Sequence, residues 1–349
     1  MSPVFRRILA LALVFWLGIA PGFATEQASP LRVRVIGGFA GTSQFDRIEQ
    51  PFWTRRLPAL TGGRMVATLQ ASTQAGVSLD QMLNVMRSGA VLFGTVEANA
   101  VAFDEPELAV ADLPLLAEDT AALRRMVEIW RPRFQAILAE HYATELLAVF
   151  IRPPQVVFCN KPFAGLRGLA GLRVRVASVN QADLVLAVGA QPVVMAFDRI
   201  VGAVREGLVD CAITGGLPGH AIGLHRVTTH VSTLPLGWAM SFLTAHRPGW
   251  QALPAGLREA VREGIAGLEA TMWSAAEEDR EQGEACNTGQ APCRHGERAR
   301  LVPVREDPAG IRPLFGTAVL PGWARRCGST CAESWNAVAG PATGVQAVW

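Results

Sequence analysis

Residues 165–216 read GLRGLAGLRVRVASVNQADLVLAVGAQPVVMAFDRIVGAVREGLVDCAITGG: two strands joined by a helix, then a second helix and a third strand. Gly171 closes a turn, and 172–176 alternates apolar and basic side chains as a strand with unlike faces does. That strand ends with Arg175 among small residues, where a guanidinium can face a cleft. Gly189-Ala190 ends a helix, 192–195 is a short apolar strand, and Val201, Val204 and Leu208 mark one face of the next helix. A hydrophobic period that switches from 2 to 3.6 and back is the pattern of α/β construction on a mostly parallel sheet.

Outward from this stretch the same alternation recurs. Residues 33–36 form a first strand, 45–60 a helix, 65–69 a second strand, 79–87 a helix ended by Gly89, and 91–96 a third strand. Residues 121–140 read as a helix interrupted at Pro132, because the ring removes one backbone hydrogen bond and clashes with the preceding turn. Residues 146–151 form a strand that leaves the first half, and 155–233 repeats the plan. Doubly wound sheets bind their ligands beyond the carboxyl ends of their strands. From Leu257 onward, Val261, Ile265, Leu268 and Met272 fall on one face of a helix reaching about Gln282, roughly 40 Å long, more than one small domain needs.

The run GLRVRV, the following GAQPVVMAF and the closing EGLVDCA resemble the signature region of the solute-binding subunits of TRAP (tripartite ATP-independent periplasmic) transporters. LTGGRM is similar to that family's turn before its second strand, RSGAVLFG to its third strand, ADLPLL to its apolar turn and WQALPAGLREAVREGI to its long late helix, so the likeness spans about 33–282. The resemblance implies two doubly wound α/β domains joined by a hinge, the type II periplasmic binding protein plan, with a long helix along both. It places domain I at 31–151 plus about 240–280 and domain II at 152–239 plus about 281–349, with the hinge at the crossovers near Ile151 and Ala239. It further implies a periplasmic monomer that captures an organic acid and delivers it to membrane permease subunits.

The amino terminus agrees with export. Arg6-Arg7 precede an apolar run from Ile8 to Ala20, and Gly22-Phe23-Ala24 supplies the small residues a signal peptidase needs, so 1–24 reads as a cleaved signal peptide. Without it the chain carries 30 basic and 30 acidic residues, a balance that gives no field to gather nucleic acid or acidic membranes. A length of 349 residues, half of them hydrophobic, is enough for about two domains with real cores. All six cysteines lie beyond the signal segment, an even number that suits an oxidising compartment. Cys286 and Cys293 flank a turn and Cys327 and Cys331 flank Gly-Ser-Thr, so each pair is expected to bond locally. Cys159 and Cys211, on strands that are neighbours in this fold, form the third expected pair. Thr330 and Glu333 read as a capping box at a helix start.

In the TRAP family an arginine at the end of the Arg175 strand holds the substrate carboxylate, and its planar fork suits that task in a dewatered cleft. Arg173 points the same way by strand parity, and Arg34, Arg152 and Arg167 are also available. Matching adds Glu97 after the third strand, Phe197 as an aromatic that packs on the ligand, Thr42, Ser43 and Gln74 in first-domain loops, and Trp238 as an aromatic wall. The chain also departs from the family. The second arginine common after the strand entering domain II is replaced by Gln155, with Arg152 reaching that place only across a gap. Thr214 stands for an asparagine, and Arg199 for a glutamate. One clamp fewer favours a monocarboxylate with an apolar or aromatic body, while a dicarboxylate stays open.

Two other classes remain. The same cleft would serve a ligand-sensing module docking on a sensor protein. His220, His225 and His230, with Asp210 and Cys211 upstream, raise an exported metal enzyme, but spacing by five scatters them over a helix, and no HExxH accompanies them. There is no GxSxG nucleophile elbow, and the VRVIGGFAG loop lacks dinucleotide-binding GxGxxG spacing. No metal, cofactor or catalytic residue is therefore expected.

Overall fold

The computed structural model describes residues 29–349. The expected signal peptide lies outside the described residues. Strands β1 (Leu31–Gly37), β2 (Met65–Ala71) and β3 (Phe93–Glu97) are followed by a long strand β4 (Thr144–Cys159). Then come β5 (Arg173–Val176), β6 (Gln191–Val194), β7 (Cys211–Gly215), β8 (His230–Ser232), β9 (Trp238–His246) and β10 (Val302–Val304). The main path runs β2-β1-β3-β9-β4-β7-β5-β6. β1 pairs β2 and β3 in parallel, and β5 pairs β6 and β7 in parallel. The antiparallel strands β4 and β9 lie between these two groups. This is a mixed α/β architecture in which the parallel groups direct their strand ends towards a common cleft.

The helices used below are α1 (Met82–Ser88), α2 (Thr120–Tyr142), α3 (Val179–Ala187), α4 (Ile200–Arg205), α5 (Gly216–Ala221), α6 (Ala255–Thr288), α7 (Leu320–Cys327) and α8 (Ser329–Val338). α1 ends at Gly89, whose φ of 70° is the left-handed cap an L side chain rarely adopts. α6 covers 34 residues, about 51 Å at ~1.5 Å per residue, and buries Val261, Ile265, Leu268, Met272 and Ala276 along one stripe. It touches β4 and the helical segment after β1 at one end and α5 at the other, so a single rod supports both parallel groups.

Several local expectations are corrected. α2 runs unbroken through Pro132: Leu123, Met126, Val127, Trp130, Phe134, Ile137 and Leu138 are all buried, and that apolar stripe outweighs the lost hydrogen bond. β4 does not stop at Ile151 but continues to Cys159, with its register against β9 shifting between Ile151 and Pro154, where two prolines have no N–H to pair. α4 ends at Arg205, so Leu208 lies past Gly207 and is 55% exposed instead of sharing the helix face. α8 starts at Ser329 with Gly328 as its cap and no side-chain cap bond, so Thr330 sits inside the helix and the capping box does not form.

The disulfides Cys159–Cys211, Cys286–Cys293 and Cys327–Cys331 are all present. The first joins directly opposed residues of antiparallel β4 and β7, with Cα atoms 4.0 Å apart. The carboxyl-terminal helices do not keep to one half. Trp323 on α7 donates its Nε1–H to Pro106 O at 2.7 Å and meets Trp130 and Trp335 edge to face, while Arg326 pairs with Asp183 on α3 at 2.6 Å.

Candidate ligand-binding site

A cavity of about 600 Å³ lies at the carboxyl ends of the parallel strands, lined from one side by the loops after β1, β2 and β3 and from the other by those after β5, β6 and β7. Of the residues expected there, Arg175, Glu97, Phe197, Thr214, Gln155, Arg152 and Thr42 line it together. Three do not. Gln74 is an exposed residue of a turn whose Ser72 and Thr73 face the cavity instead. Ser43 opens the helical segment after β1, one residue beyond the lining Thr42. Trp238 is 3% exposed in the apolar core, behind the cavity beside Asp112 and Gln181. The reason is parity: on fully buried β9 the indole falls on the face turned from the cleft.

Arg175 is 3% exposed at the end of β5. It donates from Nε and Nη2 to Met195 O at 2.9 and 2.7 Å, and from Nη1 to Ile213 O at 2.8 Å. No carboxylate bonds it. Burial lowers its pKa to about 9, with Asp198 at the rim acting the other way. Three of its five N–H groups are used on carbonyls, leaving one on each terminal nitrogen. Arg173, two residues back along the strand, is not beside it. Arg173 donates to both Asp210 oxygens at 3.2 Å, and Lys161 donates to Asp210 at 2.8 Å. Although burial opposes it, these cations hold the Asp210 carboxyl well below the usual range. Arg34 and Arg167 also lie outside the cavity lining.

Arg152 comes from the irregular part of β4 and donates to Glu97 Oε1 at 2.6 Å, a pair 7% and 1% exposed. Its Nε and Nη1 are buried without a hydrogen-bond partner. Burial works against its charge, but Glu97 and Glu49 more than offset that and raise its pKa. Glu49 is raised by burial and accepts from Gly38 N–H at 2.8 Å. A Cβ on Gly38 would meet Arg152 Nη2 at 2.9 Å and Glu49 Oε2 at 3.0 Å, so a larger residue there would have to displace the ends of these charged side chains. Burial and then the Glu97 charge push the neighbouring Asp112 carboxyl well above its ordinary range.

Phe39 and Asp279 are among the cavity residues that escaped the sequence reading. Phe39, in the glycine-rich loop after β1, stacks on Phe197 with ring centroids 5.6 Å apart at 23°, and Arg152 Cζ lies 5.5 Å from the Phe39 ring. The loop's position past the first strand end was its signal. Asp279 is 4% exposed on α6, and burial raises its pKa to about 6. Extending the apolar stripe from Met272 through Ala276 would have put a carboxylate on the buried face. The histidines sort differently from their spacing. The turn after α5 stacks His225 on His220, with centroids 4.1 Å apart, while His230 lies near Phe163. His220 also approaches Cys286 and Cys293, but those sulfurs are bonded to each other.

A sheet of this order, closed by a rod-like helix and holding a charged cleft between two strand-end faces, is the fold of the type II periplasmic binding proteins. The sequence profile of the family described as bacterial extracellular solute-binding protein, family 7 (DctP), matches residues 40–287, and the chain belongs to that family. Solved structures share the fold. DctP7 of Bordetella pertussis, an extracytoplasmic solute receptor binding pyroglutamic acid, is 19% identical with a TM-score of 0.76, over 88% of this chain and 99% of that one. A TRAP periplasmic solute-binding protein from Desulfovibrio salexigens with bound orotic acid is 16% identical with a TM-score of 0.75, over 86% and 95%. One from Sulfitobacter sp. NAS-14.1 with bound β-D-galacturonate is 14% identical with a TM-score of 0.74, over 88% and 99%. These neighbours are TRAP periplasmic receptors for carboxylates, and the family is one of binding proteins.

Proposed function

We propose that this chain is exported through a cleaved signal peptide, captures a small carboxylate in the cleft as a monomer, and hands it to TRAP permease subunits. Arg175 carries the reading: a buried guanidinium hydrogen-bonded only to carbonyl oxygens keeps two free N–H groups and a charge that no carboxylate bonds, which an incoming carboxylate satisfies bidentately. The ligands of the three relatives, pyroglutamate, orotate and galacturonate, are all carboxylates and support the same class here. In this reading Thr42, Thr214 and Gln155 offer polar contacts, Phe197 packs on the ligand body, and Arg152 with Glu97 braces the floor. The two lobes follow the strand groups, about 31–151 with 240–280 and 152–239 with 281–349, turning about the strands near Ile151 and Ala239. Closure is hinge motion stabilised by contacts the ligand makes only in the closed form.

The test is thermal melting of the refolded, ligand-stripped protein against organic acids. A ligand at 100 times its Kd adds about 2.7 kcal/mol, a clear shift. A shift with one acid class that Arg175→Ala abolishes, without loss of the unliganded fold, supports the proposal. Affinity retained by Arg175→Ala defeats it.

A further inference from the structure

Two buried ionisable groups of opposite sign line the cavity, and neither is hydrogen-bonded to a group of opposite charge. Arg175 meets only carbonyl oxygens. Asp279, on α6, has the Ser43 hydroxyl as its hydrogen-bonding neighbour and, among the described residues, no cation bonded to it; Arg47 acts on it only at longer range. Arg47 is itself exposed and engaged with His295. A charge held away from water without a counter-charge is costly, and a folded chain that keeps two such groups of opposite sign around one cavity is complementary to a molecule carrying both.

The remaining cleft charges point the same way. Two guanidinium groups, Arg152 and Arg175, line the cavity against four carboxyl groups, Asp80, Glu97, Asp198 and Asp279. Arg152 is already committed to Glu97, with Glu49 behind it, so that wall has no surplus positive charge for a second ligand carboxylate. A dicarboxylate would meet a cleft with more acid than base. Resting on the reading of the cleft as a carboxylate receptor, we infer that the ligand is a zwitterion, a monocarboxylate whose carboxylate lies on Arg175 and whose protonated nitrogen lies on Asp279. The Phe39 and Phe197 rings supply apolar wall of the cavity for the ligand body.

The experiment uses the refolded, ligand-stripped protein and matched pairs of probes, titrated by calorimetry: L-leucine and 4-methylpentanoate, L-phenylalanine and 3-phenylpropanoate, L-proline and cyclopentanecarboxylate. At least one amino or imino acid binds roughly tenfold or more tighter than its deaminated partner, the scale of one charge-assisted bond. Asp279→Asn, nearly the same in shape, brings that ratio towards one, while Asp279→Glu keeps the preference, and melting curves verify that both variants fold. A deaminated acid that binds as tightly as its partner, or a ratio that Asp279→Asn does not change, overturns the zwitterion inference while the role of Arg175 stands. If no carboxylate of either kind binds, the receptor reading falls and the inference falls with it.

Discussion

Arg175 and Asp279 differ in how far the sequence exposes them. Arg175 ends an alternating strand inside a recognisable motif, so both its place and its cleft-facing guanidinium are legible. Asp279 is legible only by carrying the Met272–Ala276 stripe one step further to a buried carboxylate, and the sequence does not mark where that stripe passes from apolar packing to the cavity wall. Trp238 and Arg173 show the opposite failure: family matching proposed Trp238 and strand parity proposed Arg173, but the fold buries Trp238 behind the cavity and Arg173 pairs with Asp210. The environment of Asp279 has a consequence for stability. Between about pH 4 and 6 the folded chain holds a proton on this carboxyl that the unfolded chain has lost, so this group makes stability fall as pH rises through that window. The whole effect is on the order of 2–3 kcal/mol, with Glu278 raising and Ser43 and Arg47 lowering the folded pKa. Asp279→Asn is therefore expected to stabilise the unliganded protein at pH 7 and to flatten its stability between pH 4 and 6, read by denaturant unfolding. Glu97→Gln has the reverse sign. It leaves Arg152 buried with only Glu49 for a counter-charge and costs about 3 kcal/mol, the low end for breaking a buried pair because Glu49 remains.

At the scale of elements, the periodicities located β1 to β7, while β9, β10 and α7 went unread, and two of the four local corrections fall at proline. Pro132 and the pair Pro153-Pro154 are local stop signals that tertiary burial overrides: one is carried by an apolar helix stripe, the other by a strand buried almost throughout and paired on both sides. Sequence pattern cannot weigh a lost hydrogen bond against packing by residues distant in the chain. The disulfides divide along the same line between local and distant. Cys159–Cys211 closes a loop of 52 residues between central strands, worth about 4 kcal/mol by loop entropy, whereas Cys327–Cys331 closes one of 4, worth about 2 kcal/mol. Replacing the first pair by serine is expected to lower the melting temperature markedly more than replacing the second. Equal losses from the two double variants would show that local strand packing, not loop closure, sets the value of the buried pair.

For the whole molecule, two contacts bear on the hinge motion proposed above. α7 ties Pro106 and Trp130 to Asp183 through Trp323 and Arg326, so under the proposed division it would bridge the two lobes. The second contact crosses the cleft itself. Phe39 follows β1 and Phe197 follows β6, so under the proposed division their stack spans the two lobes and would form only in the closed arrangement. An offset aromatic pair is worth about 0.5–1.5 kcal/mol beyond its buried area. Removing it shifts the ratio of closed to open forms by about 2- to 10-fold, since each 1.4 kcal/mol is a factor of ten. Phe197→Ala should therefore quicken ligand release by that factor or more, because Phe197 also lines the ligand cavity, while Phe39→Leu, which keeps apolar bulk but removes the ring face, isolates the stacking share. Stopped-flow dissociation gives the rates, and small-angle scattering of the unliganded variants gives the spread of the lobes. Release slowed or unchanged in both variants, with no increase in radius of gyration, would mean that the stack plays no part in closure and that the ligand alone holds the lobes together.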